Sequence, residues 1–214
     1  MDRFASEREE MVQRQLESRG ISDKRVLDAM RKVPRHLFVS GTRQARAYWD
    51  GPLAIGHYQT ISQPYIVALM CEALELTEES DCLEIGSGSG YAAAVLSELG
   101  RSVISVERIP ELADLARTNL ETAGYSDIEV ICGDGTLGYS DKAPYDAIAV
   151  AAGAPMTPVA LKAQLKPGGR LVIPVGQSQA CQELLRIRRA SDGSFRTENL
   201  GSVAFVPLVG EDGW

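Results

Sequence analysis

The sequence has little of what nucleic-acid-binding and membrane proteins carry, namely a surplus of positive charge and long apolar runs. It contains 22 lysines and arginines against 29 aspartates and glutamates, for a formal net charge of -7. A broad electrostatic attraction to nucleic acid or to an anionic membrane is therefore disfavoured. No apolar run approaches the roughly 20 residues that a membrane-spanning helix needs, and the charged N-terminal segment lacks the apolar centre of a secretion signal. We therefore expect no nucleic-acid partner, no membrane contact and a cytoplasmic location.

Histidine is scarce, and cysteine occurs without the spacing of a metal site. The only histidines are His36 and His57, and no acidic partner that would predict a catalytic base is evident for either. We expect both to pack or to form hydrogen bonds. None of the cysteines belongs to a CxxC pair, so we predict no metal and reduced thiols in the core. The cysteines are Cys71, Cys82, Cys132 and Cys181.

What the sequence does have is a glycine-rich turn between an apolar strand and a helix. The segment Asp81-Cys-Leu-Glu-Ile-Gly-Ser-Gly-Ser-Gly-Tyr91 places glycines two residues apart, at Gly86, Gly88 and Gly90. Glycine has no Cβ and lets a ligand approach the backbone, and the free N-terminus of the following helix favours such a ligand. The turn therefore predicts a cofactor site.

Acidic residues at the ends of successive strands indicate the kind of cofactor. A dinucleotide fingerprint would need a glycine where the chain has Tyr91. Instead, Glu84 enters the turn, where a carboxylate repels a pyrophosphate and attracts a cationic amine or sulfonium. Glu107 ends the next apolar run and can accept both hydroxyls of a ribose, and Asp134 follows a third strand. The pattern favours S-adenosylmethionine over a dinucleotide.

Strand and helix patterns alternate through most of the chain. Such alternation predicts an α/β, Rossmann-like fold with a mostly parallel sheet and helices on both faces. The predicted strands are at residues 81–85, 102–106, 128–132, 145–151 and 169–175, with helices at 90–99, 110–123 and 157–165. A turn at residues 191–194 predicts antiparallel hairpin strands near the C-terminus, at 183–189 and 202–208.

The first part of the chain is predicted to be helical. Ser6 is expected to cap a first helix and Ser22 a second, and a third begins at Pro64. Between the second and third helices the sequence is irregular, and long structured loops of this kind usually carry function. We therefore predict a single domain over residues 1–214, with an N-terminal helical cap and active-site loop at 1–63 and a cofactor-binding core with the C-terminal hairpin at 64–214.

Two further segments give the chain a family resemblance. The turn Lys166-Pro-Gly-Gly-Arg170 follows the glycine loop and the two later acids in an order that resembles the class I methyltransferase fold. The segment Gln59-Thr-Ile-Ser-Gln-Pro64 resembles the active-site motif of the protein-L-isoaspartate O-methyltransferase family, and other segments between residues 26 and 208 agree with it. The resemblance implies methyl transfer from S-adenosylmethionine to the free α-carboxylate of isoaspartyl residues in damaged proteins. The ester then collapses to a succinimide, which begins repair.

The resemblance also implies residue roles. Ser62 would be the catalytic-site hydroxyl that aims one carboxylate oxygen of the acceptor, and Thr60 would support it, since residues two apart in an extended segment point the same way. Alternatively, Ser62 only caps the helix at Pro64. A carboxylate with an ordinary pKa near ~4 is ionised at pH 7 and needs no general base. The expected cofactor-binding residues are Glu84, Gly86, Ser87, Gly88, Gly90, Glu107, Arg108, Asp134 and Gly135.

The segment Gly56-His-Tyr-Gln59 departs from the family pattern at Tyr58, where a glycine is expected. A ring there would narrow the substrate cleft or change the loop conformation. We expect a monomer. The acceptor peptide is expected to lie extended between residues 58–62 and 205–208. Asp50 is expected to anchor a loop or the substrate, or to form an Asx turn. Two alternatives stay open, a methyltransferase for a small molecule or another protein group, and a cofactor-binding regulatory module without turnover. Ser62 and the intact glycine loop disfavour the second.

Overall fold

The computed structural model describes residues 4–214, which form a seven-stranded sheet, a separate two-stranded hairpin and surrounding helices. The helices are α1 (Ala5–Met11), α2 (Lys24–Lys32), α3 (Pro64–Leu74), α4 (Tyr91–Ser97), α5 (Pro110–Ala123) and α6 (Val159–Ala163). The hairpin strands are β1 (Leu53–Gly56) and β2 (Gln59–Ile61). The sheet strands are β3 (Asp81–Ile85), β4 (Ser102–Glu107), β5 (Glu129–Cys132), β6 (Tyr145–Val150), β7 (Leu165–Ser178), β8 (Cys181–Arg189) and β9 (Phe195–Val203).

The strand order of the large sheet is β5-β4-β3-β6-β7-β8-β9. The five strands β5, β4, β3, β6 and β7 are parallel, whereas β8 is antiparallel to β7 and β9 to β8. The predicted fold, a mostly parallel sheet with a C-terminal antiparallel hairpin, is thereby confirmed. The chain moves from β3 to β4 and β5 on one side and then to β6 and β7 on the other. The carboxyl ends of β3 and β6 therefore flank a topological switch point, where ligands bind in sheets of this type.

The first helix differs from prediction at its beginning. It starts after Phe4 without a side-chain cap, so that Ser6 lies inside the helix and the predicted Ser6 cap is wrong. The helix continues through a π-helical turn, Val12–Leu16, and a 3-10 turn, Glu17–Arg19. It ends at Gly20, whose φ of 97° is the left-handed conformation that glycine permits.

The cap of the second helix lies one residue later than predicted. Asp23 is the N-cap of α2, and its carboxylate accepts a hydrogen bond from the backbone N–H of Arg25 at 2.8 Å. Ser22 cannot take this place because its own N–H and hydroxyl both lie against the Glu72 carboxylate, the N–H at 2.7 Å. This contact also ties α2 to α3.

The C-terminal hairpin is shifted relative to prediction. Strand β8 covers the predicted segment 183–189, but β9 ends at Val203, and residues 205–208 do not continue it. Strand β9 is a mostly exposed edge strand rich in polar residues, so it lacks the apolar signal that the sequence shows further on. The later apolar segment instead makes an isolated parallel bridge between Pro207 and Gly153. Helix α6 is also shorter than predicted, because β7 already begins at Leu165.

The two faces of the sheet each pack an apolar cluster. One face carries alternate residues of β3 to β7 together with α1 to α5, and the other carries the intervening residues together with Leu161 of α6 and Leu208. The N-terminal helices share the first cluster with α3 and α4, so they fix the segment before α3 relative to the sheet. In residues 4–214, no helix has both the length and the apolar character that crossing a bilayer requires.

Candidate active site

A cleft of about 800 Å³, counted with its open mouth, lies at the switch point of the sheet. We call its lining residues 59–62 the hairpin wall and residues 84–89, 106–109 and 135 the glycine-loop wall. Residues 206–209 close the cleft from the C-terminal segment. The cleft brings together most of the predicted site residues, namely Thr60, Ser62, Glu84, Gly86, Ser87, Gly88, Glu107, Arg108 and Gly135. Gly90 and Asp134 are not part of the lining.

The glycines of the loop serve two different purposes. Gly88 lines the cleft with a φ of 54°, and a Cβ there would lie 3.2 Å from Cδ1 of Ile55. Gly90 has a φ of 90°, and a Cβ there would lie 3.0 Å from Cγ of Leu120 and 3.2 Å from the carbonyl oxygen of Ala116. Gly88 thus lines the cleft and lets the loop lie close to Ile55 of β1, whereas Gly90 allows the start of α4 to pack against α5.

Glu84 is a buried acid, and one of its carboxylate oxygens accepts no hydrogen bond from the described residues. Its side chain is 1% exposed, and Oε1 has no hydrogen-bond partner among the described residues. Oε2 accepts a hydrogen bond from the Ser105 hydroxyl, which also bonds to the hydroxyl of Ser87. Burial raises the pKa of Glu84 to about 8; the Ser105 hydrogen bond opposes this rise and the charge of Glu107 adds to it. Burial therefore favours the protonated carboxyl, and a cationic ligand group beside Oε1 would favour its ionised form.

Glu107 holds the glycine loop in place with both of its carboxylate oxygens. Oε2 accepts the backbone N–H of Gly88 at 2.9 Å, and Oε1 accepts that of Ile109 at 2.9 Å. Each carboxylate oxygen has two lone pairs, so both retain capacity to accept a hydroxyl. Arg108, the next residue, is exposed and lines the cleft.

Asp134 lies behind the cleft and binds the C-terminal segment. Its carboxylate accepts hydrogen bonds from the backbone N–H of Thr136 at 2.9 Å, from the Thr136 hydroxyl at 2.7 Å and from the backbone N–H of Glu211 at 2.8 Å. Burial opposes ionisation, but these bonds outweigh it and the pKa of Asp134 is lowered. The predicted cofactor contact of Asp134 stays a prediction, and the adjacent Gly135 is the residue of this turn that faces the cleft.

Ser62 lies between β2 and α3 and faces the cleft. The N-cap of α3 is Gln63, and no side chain caps this helix. The hydroxyl of Ser62 is therefore not a helix cap, which removes the alternative role that the sequence left open. Thr60 lies two residues earlier in β2 and also lines the cleft, as do Gln59 and Ile61, so its support of Ser62 stays a prediction.

The turn between β1 and β2 explains why a glycine is expected at Tyr58. His57 and Tyr58 form a two-residue turn with φ values of 51° and 58°, closed by the pairing of Gly56 with Gln59. Such turns require left-handed conformations that non-glycine residues adopt at a cost. Tyr58 keeps this conformation, and its ring is fully exposed and does not line the cleft.

The other histidine belongs to the packing of the N-terminal segment. The ring of His36 stacks on Phe4 with a centroid distance of 4.1 Å, and its Nδ1 lies 2.8 Å from the hydroxyl of Tyr48. This is the packing and hydrogen-bonding role that the sequence predicts. Neither His36 nor His57 lines the cleft.

Two supports of the hairpin wall lie outside the predicted site. Asp50 accepts a hydrogen bond from Nε2 of Gln63 at 2.6 Å and pairs with Arg19 at 3.2 Å, so it anchors the segment at the start of α3. Arg35 donates to the carbonyl oxygen of Ser62 at 2.8 Å. The sequence offers only a faint signal for Arg35, a single cation just before the apolar residues 37–39.

Comparison with other proteins agrees with the geometry of the cleft. The family described as "Protein-L-isoaspartate(D-aspartate) O-methyltransferase (PCMT)" matches residues 6–213. The chain is 57% identical over 207 residues to protein-L-isoaspartate O-methyltransferase 2 of Marinobacter nauticus, with 97% of this chain and 94% of that protein covered. It is 56% identical over 208 residues to protein-L-isoaspartate O-methyltransferase of Methanoculleus marisnigri, with the same 97% and 94% coverage.

Solved structures give the same result. A protein-L-isoaspartate O-methyltransferase superposes with a TM-score of 0.86 at 30% identity, covering 96% of this chain and 67% of that one. A Plasmodium falciparum protein, described as a putative protein-L-isoaspartate O-methyltransferase in complex with S-adenosyl-L-homocysteine, has a TM-score of 0.82 at 26% identity, covering 94% and 98%. The chain belongs to the protein-L-isoaspartate O-methyltransferase family.

Proposed function

We propose that this chain methylates the α-carboxylate of isoaspartyl residues in proteins, with S-adenosylmethionine as the methyl donor. The observation that carries the proposal is that the glycine loop, buried Glu84 and Ser62 all line one cleft. Family membership supports the same activity. Succinimide formation from the ester would then follow without further help from the protein.

The acceptor side of the cleft needs alignment more than it needs a base. An α-carboxylate is ionised at neutral pH, since its ordinary pKa is about 3 to 4. Ser62 donates one hydrogen bond to a carboxylate oxygen and so fixes the direction of the other, and Thr60 supports it from the adjacent strand β2. Correct orientation and exclusion of water can supply much of the rate enhancement in such a transfer.

The glycine-loop wall fits the cofactor. When bound, S-adenosylmethionine supplies an electrophilic methyl group. Oε1 of Glu84, buried and without a partner, is placed to accept a cationic amine, and Glu107 retains acceptor capacity for ribose hydroxyls. Gly88 leaves space for close approach, and Gly135 faces the cleft from the turn after β5.

The partners that we propose are isoaspartyl-containing proteins and peptides. An isoaspartyl linkage adds one carbon to the backbone and leaves the α-carboxylate as the side group. A cleft that holds the peptide backbone in register between the hairpin wall and residues 206–209 misplaces the carboxylate of normal aspartate. Errors of about 1 Å cost heavily in group transfer. A monomer that acts in the cytoplasm completes the proposal.

The decisive experiment compares two matched peptides that differ only in an isoaspartyl or aspartyl linkage. Transfer of a labelled methyl group is measured for each, in low and in raised salt, with S-adenosylhomocysteine as a competing control. We expect strong preference for the isoaspartyl peptide with little salt dependence, because hydrogen bonds inside a cleft are screened less than surface charges. Equal rates on both peptides would refute the repair function and leave a methyltransferase with another acceptor. Binding of S-adenosylhomocysteine without any transfer would favour a regulatory module.

A further inference from the structure

Arg35 is the largest of the fully buried side chains in residues 4–214, and it lacks a carboxylate partner. Its exposed fraction is 0%, and its Nη1 has no hydrogen-bond partner among the described residues. Burial lowers the pKa of Arg35, and the groups that oppose this are the hydroxyls of Tyr91 and Tyr48 rather than an acid. A buried cation without a counterion destabilises a fold. A role beyond packing would account for a charge in this place.

The guanidinium connects three separate segments. Nε donates to the carbonyl oxygen of Ala47 at 2.7 Å, and Nη2 donates to that of Ser62 at 2.8 Å. The guanidinium carbon lies 4.7 Å from the ring centroid of Tyr91. Tyr91 is the first residue of α4 and follows the glycine loop directly. One side chain therefore touches the hairpin wall on one side and the helix of the glycine loop on the other.

The contact with Ser62 acts on the orientation of that residue. Ser62 lies after the end of β2 and before α3, so its carbonyl lies outside both the hairpin strand and the helix. A hydrogen bond from a charged donor is roughly twice as strong as a neutral one. Fixing the carbonyl fixes the peptide plane, and with it the direction in which the Ser62 side chain leaves the backbone.

We propose that Arg35 is a positioning residue for methyl transfer. It holds the Ser62 backbone so that the hydroxyl faces the acceptor carboxylate. Its contact with Tyr91 fixes the position of Ser62 relative to the glycine loop. Arg35 does not line the cleft itself, so it acts through the two lining residues that it contacts, Ser62 and Tyr91, and on the acceptor through Ser62. The proposal rests on the acceptor role of Ser62 given above.

The chain provides a matched control in Arg25. Its Nη1 donates to the carbonyl oxygen of Leu76 at 2.6 Å and its Nη2 to that of Leu99 at 2.6 Å. Arg25 thus also joins two distant backbone carbonyls, but neither of them lines the cleft. Loss of either arginine leaves two backbone carbonyls without their donor, whereas only loss of Arg35 is expected to change turnover.

The first test measures kcat and cofactor affinity separately. Arg35→Gln removes the buried charge. Arg35→Lys keeps the charge but loses the planar guanidinium, whose separate N–H groups donate to two carbonyl oxygens. For both we expect kcat on an isoaspartyl peptide to fall by about tenfold or more, as displacement of an aligning group predicts. The Kd of S-adenosylhomocysteine is expected to stay near the wild-type value. Arg25→Gln is the control and should leave kcat unchanged.

The second test asks whether Arg35 acts through Ser62. In the Ser62→Ala background, we expect Arg35→Gln to have little further effect on kcat, because the hydroxyl that it orients is gone. Equal fractional losses in both backgrounds would overturn the proposal. So would a kcat loss no greater than that of Arg25→Gln, or unfolding of both Arg35 variants while Arg25→Gln stays folded.

A third measurement separates this proposal from the proposed function. Hydrogen exchange of the amides in residues 59–67 needs no substrate, and we expect it to be faster in Arg35→Gln than in wild type or Arg25→Gln. If the wild-type protein does not methylate isoaspartyl peptides but exchange changes in this way, the function is wrong and the positioning contact stands. Unchanged exchange in residues 59–67 would refute the positioning contact whatever the acceptor.

Discussion

The two main walls of the cleft are built in different ways. The glycine-loop wall is held by main-chain hydrogen bonds between neighbouring strand ends, such as that from the N–H of Gly86 to the carbonyl oxygen of Val106 at 2.8 Å. The hairpin wall belongs to a short antiparallel pair whose turn contains two strained residues. It is supported from outside, by Arg35 at the Ser62 carbonyl and by Asp50 at Gln63.

This difference separates two kinds of support for the site. The glycine-loop wall is held by contacts between the ends of adjacent parallel strands, and its own residues make these contacts, so substitutions there act on ligand space directly. The hairpin wall depends on residues that lie 12 to 27 positions away in sequence from the groups that they contact. We therefore expect cofactor binding and acceptor turnover to respond to separate sets of substitutions.

The largest expected effect is on the glycine-loop wall. Gly88→Val should abolish binding of S-adenosylhomocysteine in calorimetry, because Gly88 lines the cleft with a φ of 54°, and an added side chain would strain the loop and enter ligand space. Gly41→Val is the matched control, since Gly41 has a φ of 46° and open space around it. Both variants should lose stability, but only the Gly88 variant should lose the ligand. Normal affinity in a folded Gly88→Val protein would show that the loop is not the cofactor site.

The next effect is on the hairpin wall. Ser62→Ala should lower kcat on an isoaspartyl peptide by about ten- to a hundredfold, the loss expected for one aligned hydrogen-bond donor. Affinity for S-adenosylhomocysteine should remain close to wild type, because the glycine-loop wall is untouched. A normal kcat with only a lower melting temperature would contradict the acceptor role of Ser62.

Glu84 provides a pH-dependent test of the glycine-loop wall. Its folded-state pKa of about 8 lies above the ordinary value of 4.5, so the folded protein binds more protons than the unfolded chain between these values. The free energy of unfolding therefore falls as pH rises through this window, by an amount on the order of a few kcal/mol. Glu84→Gln cannot titrate and should remove this fall while weakening cofactor binding.

The measurement is urea unfolding of wild type and Glu84→Gln at several pH values between about 5 and 9. The difference between the two curves isolates Glu84, since other titrating groups are common to both. We expect the variant to gain stability relative to wild type as pH rises. Parallel curves would mean that the carboxyl is ionised in both folded and unfolded states.

The sequence predicts the glycine-loop wall better than the hairpin wall for a physical reason. Strand β3, the glycines and Glu107 follow local patterns of apolar runs and turn residues, and the structure has them within a residue or so of prediction. The support from Arg35 involves pairs distant in sequence, and one arginine before an apolar stretch does not reveal its partners. The displaced strand β9 shows the same limit, because an exposed edge strand carries no periodic apolar signal.

The cap of α2 differs from prediction because neighbouring polar residues compete for the same place. Ser22 has the right chemistry for an N-cap, but Glu72 of α3 takes its hydrogen-bond donors, and Asp23 caps the helix instead. Such a contact depends on how two helices pack. The sequence indicates that a helix N-cap lies near residues 22–23, whereas the tertiary structure determines which residue is the cap.

The smallest expected effect concerns the hairpin turn. Tyr58 has a φ of 58° and a fully exposed ring, so Tyr58→Gly relieves the left-handed strain without removing a buried contact. Relief of this strain is partly offset by the greater freedom of glycine in the unfolded chain, so we expect a gain of up to about 1 kcal/mol in the free energy of unfolding. Tyr58→Ala is the control, because it removes the ring but keeps the strain, and it should leave stability near the wild-type value. Binding of S-adenosylhomocysteine should be the same in all three proteins, since Tyr58 does not line the cleft. A raised KM for the isoaspartyl peptide in both variants would instead mean that the ring contacts the acceptor, so that Tyr58 in the β1–β2 turn would also belong to the acceptor site.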